Sequence, residues 1–141
     1  MSEQALRDAN AAFYDAFQKL DLDCMGNLWA RKVQVTCVHP GWDLVVGLRA
    51  VMDSWRAIFE GTGELRFHTE DAHVTVREGV GWVVSREVLR TELQGAPVEN
   101  VLTAVNTFVL EDDTWRIAHH HAGPVLAGRP RSVRPRDVVL H

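Results

Sequence analysis

Two unusually long runs of strand-type sequence, residues 80–94 and 98–111, lie in tandem and constrain this chain more than any other feature. Most strands hold five or six residues, and long ones must twist and coil, which creates a concave face. Shorter runs of the same character cover about 65–77 and 114–121. Between the four runs stand Glu78-Gly79, Gly95-Ala96 and Asp112-Asp113, each a two-residue step of the kind that joins antiparallel neighbours. Gly95 suits the first position of a type II′ turn. The second half is therefore expected to be a curved antiparallel meander.

The first half is helical. Leu6, Ala9, Phe13, Ala16, Phe17 and Leu20 recur at helical spacing and form one apolar stripe, with Ser2 placed to cap it. Asp21 can cap a short second helix that contributes Leu22, Met25, Leu28 and Trp29. Val33–Val38 is β-branched enough for a strand, and His39-Pro40-Gly41-Trp42 is a turn. Leu48, Val51, Met52, Trp55 and Phe59 restore the helical period until Gly61 and Gly63 end it. Helices first and long strands afterwards predict an α+β fold with three N-terminal helices packed on one face of a strongly curved, mostly antiparallel sheet.

Turn positions fix register, and register decides which side chains meet. With the turns as placed, Ser85, Asn106 and His119 share one cross-strand row, and Glu87, Ala104 and His121 the next on the same face. Phe108 faces Ile117 and Leu110 faces Trp115, so that face is apolar at one end and polar at the other. The polar end is the expected floor of a ligand cavity. His120 should point the opposite way. Glu70 should lie opposite Glu87 unless a bulge near 70–72 moves it. The outer face carries Trp82, Val84, Arg86 and Val88, then Val101, Thr103, Val105, Thr107 and Val109, too apolar for open solvent, so a homodimer through this face is expected.

The segment Trp115-Arg116-Ile117-Ala118-His119-His120-His121-Ala122-Gly123-Pro124 resembles the closing strand of SnoaL-like proteins of the nuclear transport factor 2-like superfamily. The association domain of calcium/calmodulin-dependent protein kinases ends similarly. Ala104–Phe108, Val83–Glu87 and Val38-His39-Pro40-Gly41 with Gly47 and Trp55 match the same pattern, so the likeness spans about residues 3–125. It implies a cone-shaped fold around a cavity that takes a small organic ligand. Members include isomerases, dehydratases, polyketide cyclases, hydrolases and binding modules, so fold alone does not choose among them.

Against that background Glu87 and His121 are the candidate proton-transfer pair, with His119 and Asn106 as polarising donors and Ser85 beside them. Asn106 has both a donor and an acceptor with which to hold His119 in one tautomer. Related isomerases place a helix tyrosine at an oxyanion, which points to Tyr14, although their second acid has no match here. His39, Trp29, Trp42 and Trp55 are expected to line the pocket. His119 and His121 with His39 and Glu87 have the chemistry of a zinc or non-haem iron set, yet no metal and no cofactor is expected. A non-catalytic module that senses a ligand or assembles subunits is the alternative.

Net charge is −4, but residues 126–141 hold Arg129, Arg131, Arg134 and Arg136 against Asp137 alone. The remaining 11 bases and 18 acids give the body −7, which argues against a nucleic-acid partner. No apolar run approaches the roughly 20 residues that span a bilayer, so no membrane partner is expected. The N-terminus lacks the features of a leader, and the expected address is cytoplasmic. Residues 1–125 are read as the domain and 126–141 as a basic tail. Cys24 and Cys37 read as reduced, structural thiols. No G-x-S-x-G, P-loop or G-x-G-x-x-G is present.

Overall fold

The computed structural model describes residues 2–93 and 95–126, of which residues 92 and 93 by their backbone alone. The expected basic tail falls, from residue 127 onward, outside the described residues. Helix α1 spans Glu3–Gln18, α2 Leu22–Asn27 and α3 Leu48–Glu60. Strands β1 (Thr36–Val38) and β2 (Val45–Val46) are short, whereas β3 (Arg66–Arg77), β4 (Val80–Leu93), β5 (Ala96–Glu111) and β6 (Thr114–Pro124) are long. Ser2 caps α1 by accepting from the Ala5 amide at 3.0 Å, and Asp21 caps α2 by accepting from the Cys24 amide at 3.0 Å.

The six strands form one mixed sheet in the order β2-β1-β6-β5-β4-β3. Among these strands only the β1–β6 pair is parallel, its two members lying at opposite ends of the strand order in the chain. Strand β2 went unread in the sequence because two residues carry no period. The helices bury their stripes on the concave face, where Leu6, Phe13, Met25, Trp29, Trp55, Phe108 and Ile117 are fully enclosed. Gly81 is needed beneath α1, since a Cβ there would sit 2.7 Å from a Leu6 methyl. Glu111 ties the opposite end together, its carboxylate accepting from the amides of Arg31 at 2.9 Å and Lys32 at 2.7 Å.

Register corrects the sequence reading in two places. Leu93 pairs with Ala96, so the β4–β5 step comes one position earlier than expected, and Gly95, at φ 78°, directly precedes Ala96. Moving a turn by one residue slides each partner by two and keeps the face. Ser85 therefore pairs with Ala104, Glu87 with Leu102, and Asn106 with Val83.

The second correction reverses faces. Phe108 pairs with Ile117 as expected, but Thr107 pairs with His119, leaving Ala118 as an extra residue in β6. Beyond this bulge Asn106 meets His120 and Val105 meets His121. His120 thus turns inward and is 1% exposed. His119 and His121 turn outward, with their ring centroids 5.8 Å apart. The bulge falls where β6 changes its other neighbour, from the Trp29 bridge at Ile117 to β1 at His119. In β3 a bulge between Glu70 and His73, with Asp71 at φ 55°, puts Thr69 opposite Glu87 and Glu70 opposite Arg86.

Candidate functional site

A cavity of about 300 Å³ opens between the concave face of the sheet, α3 and the turn after β1. Phe17, Leu65, Leu89 and Leu102 give it apolar walls, and Trp42 stands at its rim, 44% exposed. Its polar groups are Glu87 from β4, His120 from β6 and His39 from the end of β1. All three are nearly inaccessible to bulk water.

Glu87 is held by Tyr14, whose hydroxyl donates to Glu87 Oε2 at 2.6 Å. Burial raises the Glu87 carboxyl to about 7, although the Tyr14 hydrogen bond pulls it down. Burial, reinforced by the Glu87 charge, pushes the Tyr14 hydroxyl far above its ordinary range, so it stays protonated. His120 Nδ1 lies 2.6 Å from Asn106 Oδ1, and Asn106 Nδ2 donates to Asn10 Oδ1 at 2.8 Å and to the Tyr14 oxygen at 3.3 Å. Burial lowers His120 to about 3, with smaller contributions from His39, His119 and His121. Burial likewise brings His39 down to about 4. His39 Nε2 lies 2.8 Å from Ser54 Oγ, which itself donates to the Val51 carbonyl at 2.6 Å. Ser54 must therefore accept from His39 Nε2–H. At neutral pH the cavity presents two neutral imidazoles and a carboxyl poised between its two forms.

The sequence-predicted residues are thus divided. Glu87, His39 and Trp42 line the cavity, and Asn106 stands directly behind it. Ser85 is buried two residues from Glu87 on the same face. Trp55 backs both imidazoles, its ring 4.6 Å from His39 and 5.7 Å from His120 between centroids. Trp29 is core, bridging to Ile117. Tyr14 aims its hydroxyl at Glu87, and its outer side borders a second cleft of about 380 Å³ between α1 and β3. His121 is exposed on the outer face, and His119 bonds Thr36 Oγ1 there at 2.7 Å. The metal set considered above is split between the two faces, and no group of three such ligands occurs among the described residues.

His120 was missed because a bulge has no single-residue signature. Asn10 was legible: it sits four residues from both Leu6 and Tyr14 on a stripe otherwise apolar, and a buried polar group there needs a partner. Ser54 on the buried side of α3 carried the same signal.

The family model for the SnoaL-like domain matches residues 6–127. The chain belongs to this SnoaL-like family. Among solved structures, the SnoaL-like domain is similar to a candidate dehydratase of the NTF2-like family from Streptomyces avermitilis. That likeness has 30% identity over 88% of this chain and 96% of that one, with a TM-score of 0.81. A candidate calcium/calmodulin-dependent protein kinase type II association domain from Thiobacillus denitrificans is 32% identical over 84% and 93% of the two chains, with a TM-score of 0.75. A ketosteroid isomerase-like protein from Erwinia carotovora atroseptica shares the fold at 14% identity, over 87% and 95%, with a TM-score of 0.70. No curated protein matches. No helix among the described residues is long and apolar enough to cross a membrane.

Proposed function

We propose that this SnoaL-like domain performs cofactor-free acid–base chemistry on a small, largely apolar organic molecule held in the Glu87–His120 cavity. One observation carries the reading: a carboxyl walled into an apolar cavity, with a proton affinity near neutrality and the Tyr14 hydroxyl as its hydrogen-bond donor. A general acid or base works best when its pKa lies near the operating pH. Glu87 would take a proton from carbon beside a carbonyl. Returning it to another carbon completes an isomerisation. Passing it to a departing hydroxyl completes a dehydration, in which C–H and C–O break, C=C forms and water leaves. The likeness to the Streptomyces candidate dehydratase supports the second outcome. His121, on the outer face, has no part in this reading, and His120 stands in its place.

The test is deuterium uptake from heavy water into 2-tetralone, an apolar enolisable ketone, followed by NMR. Glu87→Gln should slow uptake at least ~100-fold. Tyr14→Phe removes a bond that favours the ionised carboxyl, so the acid limb of its pH–rate profile should move to higher pH. Uptake by Glu87→Gln at the wild-type rate would sink the assignment.

Assembly is the second reading, and it is compatible with the first. Trp82 and Val84 are 36% and 42% exposed on the outer face of the sheet. The similar Thiobacillus protein is a candidate association domain. A second copy of this chain would cover that face, and light scattering should give twice 15.9 kDa. Val84→Arg should return the mass to that of one chain. A wild-type protein that runs as a monomer at micromolar concentration would rule the dimer out.

A further inference from the structure

The chain of hydrogen bonds from Glu87 to His120 has little freedom. An ionised carboxylate only accepts, so the Tyr14 hydroxyl 2.6 Å away must donate to it. The Tyr14 oxygen is then an acceptor, and the Asn106 amide atom facing it at 3.3 Å must be the Nδ2 donor. The same Nδ2 reaches Asn10 Oδ1 at 2.8 Å, which pins the amide from a second direction. Asn106 Oδ1 therefore faces His120 and accepts the proton of Nδ1 at 2.6 Å. Both of the Asn106 polar atoms are committed, and the residue is 1% exposed, so the amide has no room to turn over. The other ring nitrogen, Nε2, keeps its lone pair, meets no donor among the described residues, and belongs to a residue that lines the cavity.

We infer that His120 Nε2 is a fixed hydrogen-bond acceptor in the cavity, so that the occupant is an uncharged molecule presenting a hydroxyl from an otherwise apolar frame. The inference rests on the reading that this cavity holds an organic ligand, and it adds the chemical class. Asn106, Asn10 and Tyr14 act here as positioning residues. An ether or halide in place of the hydroxyl leaves Nε2 desolvated without a partner. A carboxylate brings a second negative charge beside Glu87 and has no proton for Nε2. A hydroxyl also matches the proposed dehydration, where it is the departing group.

Three probes of similar size test this on the intact protein at pH 8. Calorimetric titration with 2-naphthol, 2-fluoronaphthalene and 2-naphthoate should give the naphthol at least about a tenfold advantage over each of the others. His120→Phe should abolish that advantage while leaving apolar binding in place. In parallel, nitrogen-15 NMR of ring-labelled histidine should show His120 protonated at Nδ1 and bare at Nε2. Tyr14→Phe, which frees the amide on one side, should produce a mixture of tautomers. Equal affinity for naphthol and fluoronaphthalene, preference for naphthoate, or a proton on Nε2 would each overturn the inference. If none of the three probes binds while the tautomer is as stated, the ligand-cavity reading itself fails, whereas a Glu87→Gln protein that still exchanges deuterium removes only the catalytic assignment.

Discussion

Glu87→Gln should make the protein more stable at pH 8 by roughly 3 kcal/mol, although it removes the proposed catalytic group. The unfolded chain gives up this proton near 4.5, while the folded protein holds it to about 7. Between those values the folded state binds more protons than the unfolded one, so wild-type stability falls as pH rises through the window and then levels off. Each tenfold change in proton affinity corresponds to about 1.4 kcal/mol, which sets the size of the loss. Glutamine has the same shape and keeps an oxygen for the Tyr14 hydroxyl, but carries no charge to desolvate. Urea unfolding at pH 4 and pH 8, below and above the 4.5–7 window, should therefore show near-equal stabilities at the lower pH and a gap at the higher. In thermal unfolding at pH 8, for a chain of this size, the same gap amounts to a Tm difference on the order of 10 °C. A variant weakened equally at both pH values would mean that burial of Glu87 costs the fold nothing.

Trp55→Ala should have the opposite sign and a comparable size, a loss of about 4 kcal/mol. The indole is fully buried among Phe13, Phe17 and Phe59, with centroid separations of 5.6, 4.8 and 5.6 Å. It also supports the rings of His39 and His120 from behind. Its Nε1 has no hydrogen-bond partner among the described residues, so truncation removes packing and no hydrogen bond. Trp55→Phe should accordingly cost only about 1–2 kcal/mol, a packing loss without an emptied site. Denaturant midpoints for the two variants give the comparison. A cost below about 1 kcal/mol for the alanine variant would mean that the aromatic cluster closes over the gap, and that the cavity walls are softer than their packing implies.

What the sequence made legible follows the range of the forces involved. Helix caps at Ser2 and Asp21, the stripe on α1 and the turn at Asp112-Asp113 are decided within a few residues, and all stand where expected; both aspartates take positive φ, 49° and 62°. The concave face and its polar end were also readable, because alternation survives a sliding of the turn by two residues. The identity of the inward histidine was not. It depends on whether Ala118 is absorbed by the ladder or left out of it, and that is settled by the switch of β6 from the Trp29 segment to β1, over 80 residues earlier in the chain. Asn106 was expected to hold His119, and its partner is His120 instead. The same offset removes His121 from the site.

Three consecutive histidines follow that bulge, and this gives the strand a tolerance to slippage. With the extra residue left out of the ladder, the middle ring enters the cavity; in an unbroken ladder its two neighbours would enter instead. An imidazole reaches the interior under either arrangement. A one-residue insertion or deletion near Ala118 therefore alters the depth and partner of the inward ring without emptying its place, so the chemistry of this wall is buffered against a one-residue slip of the strand.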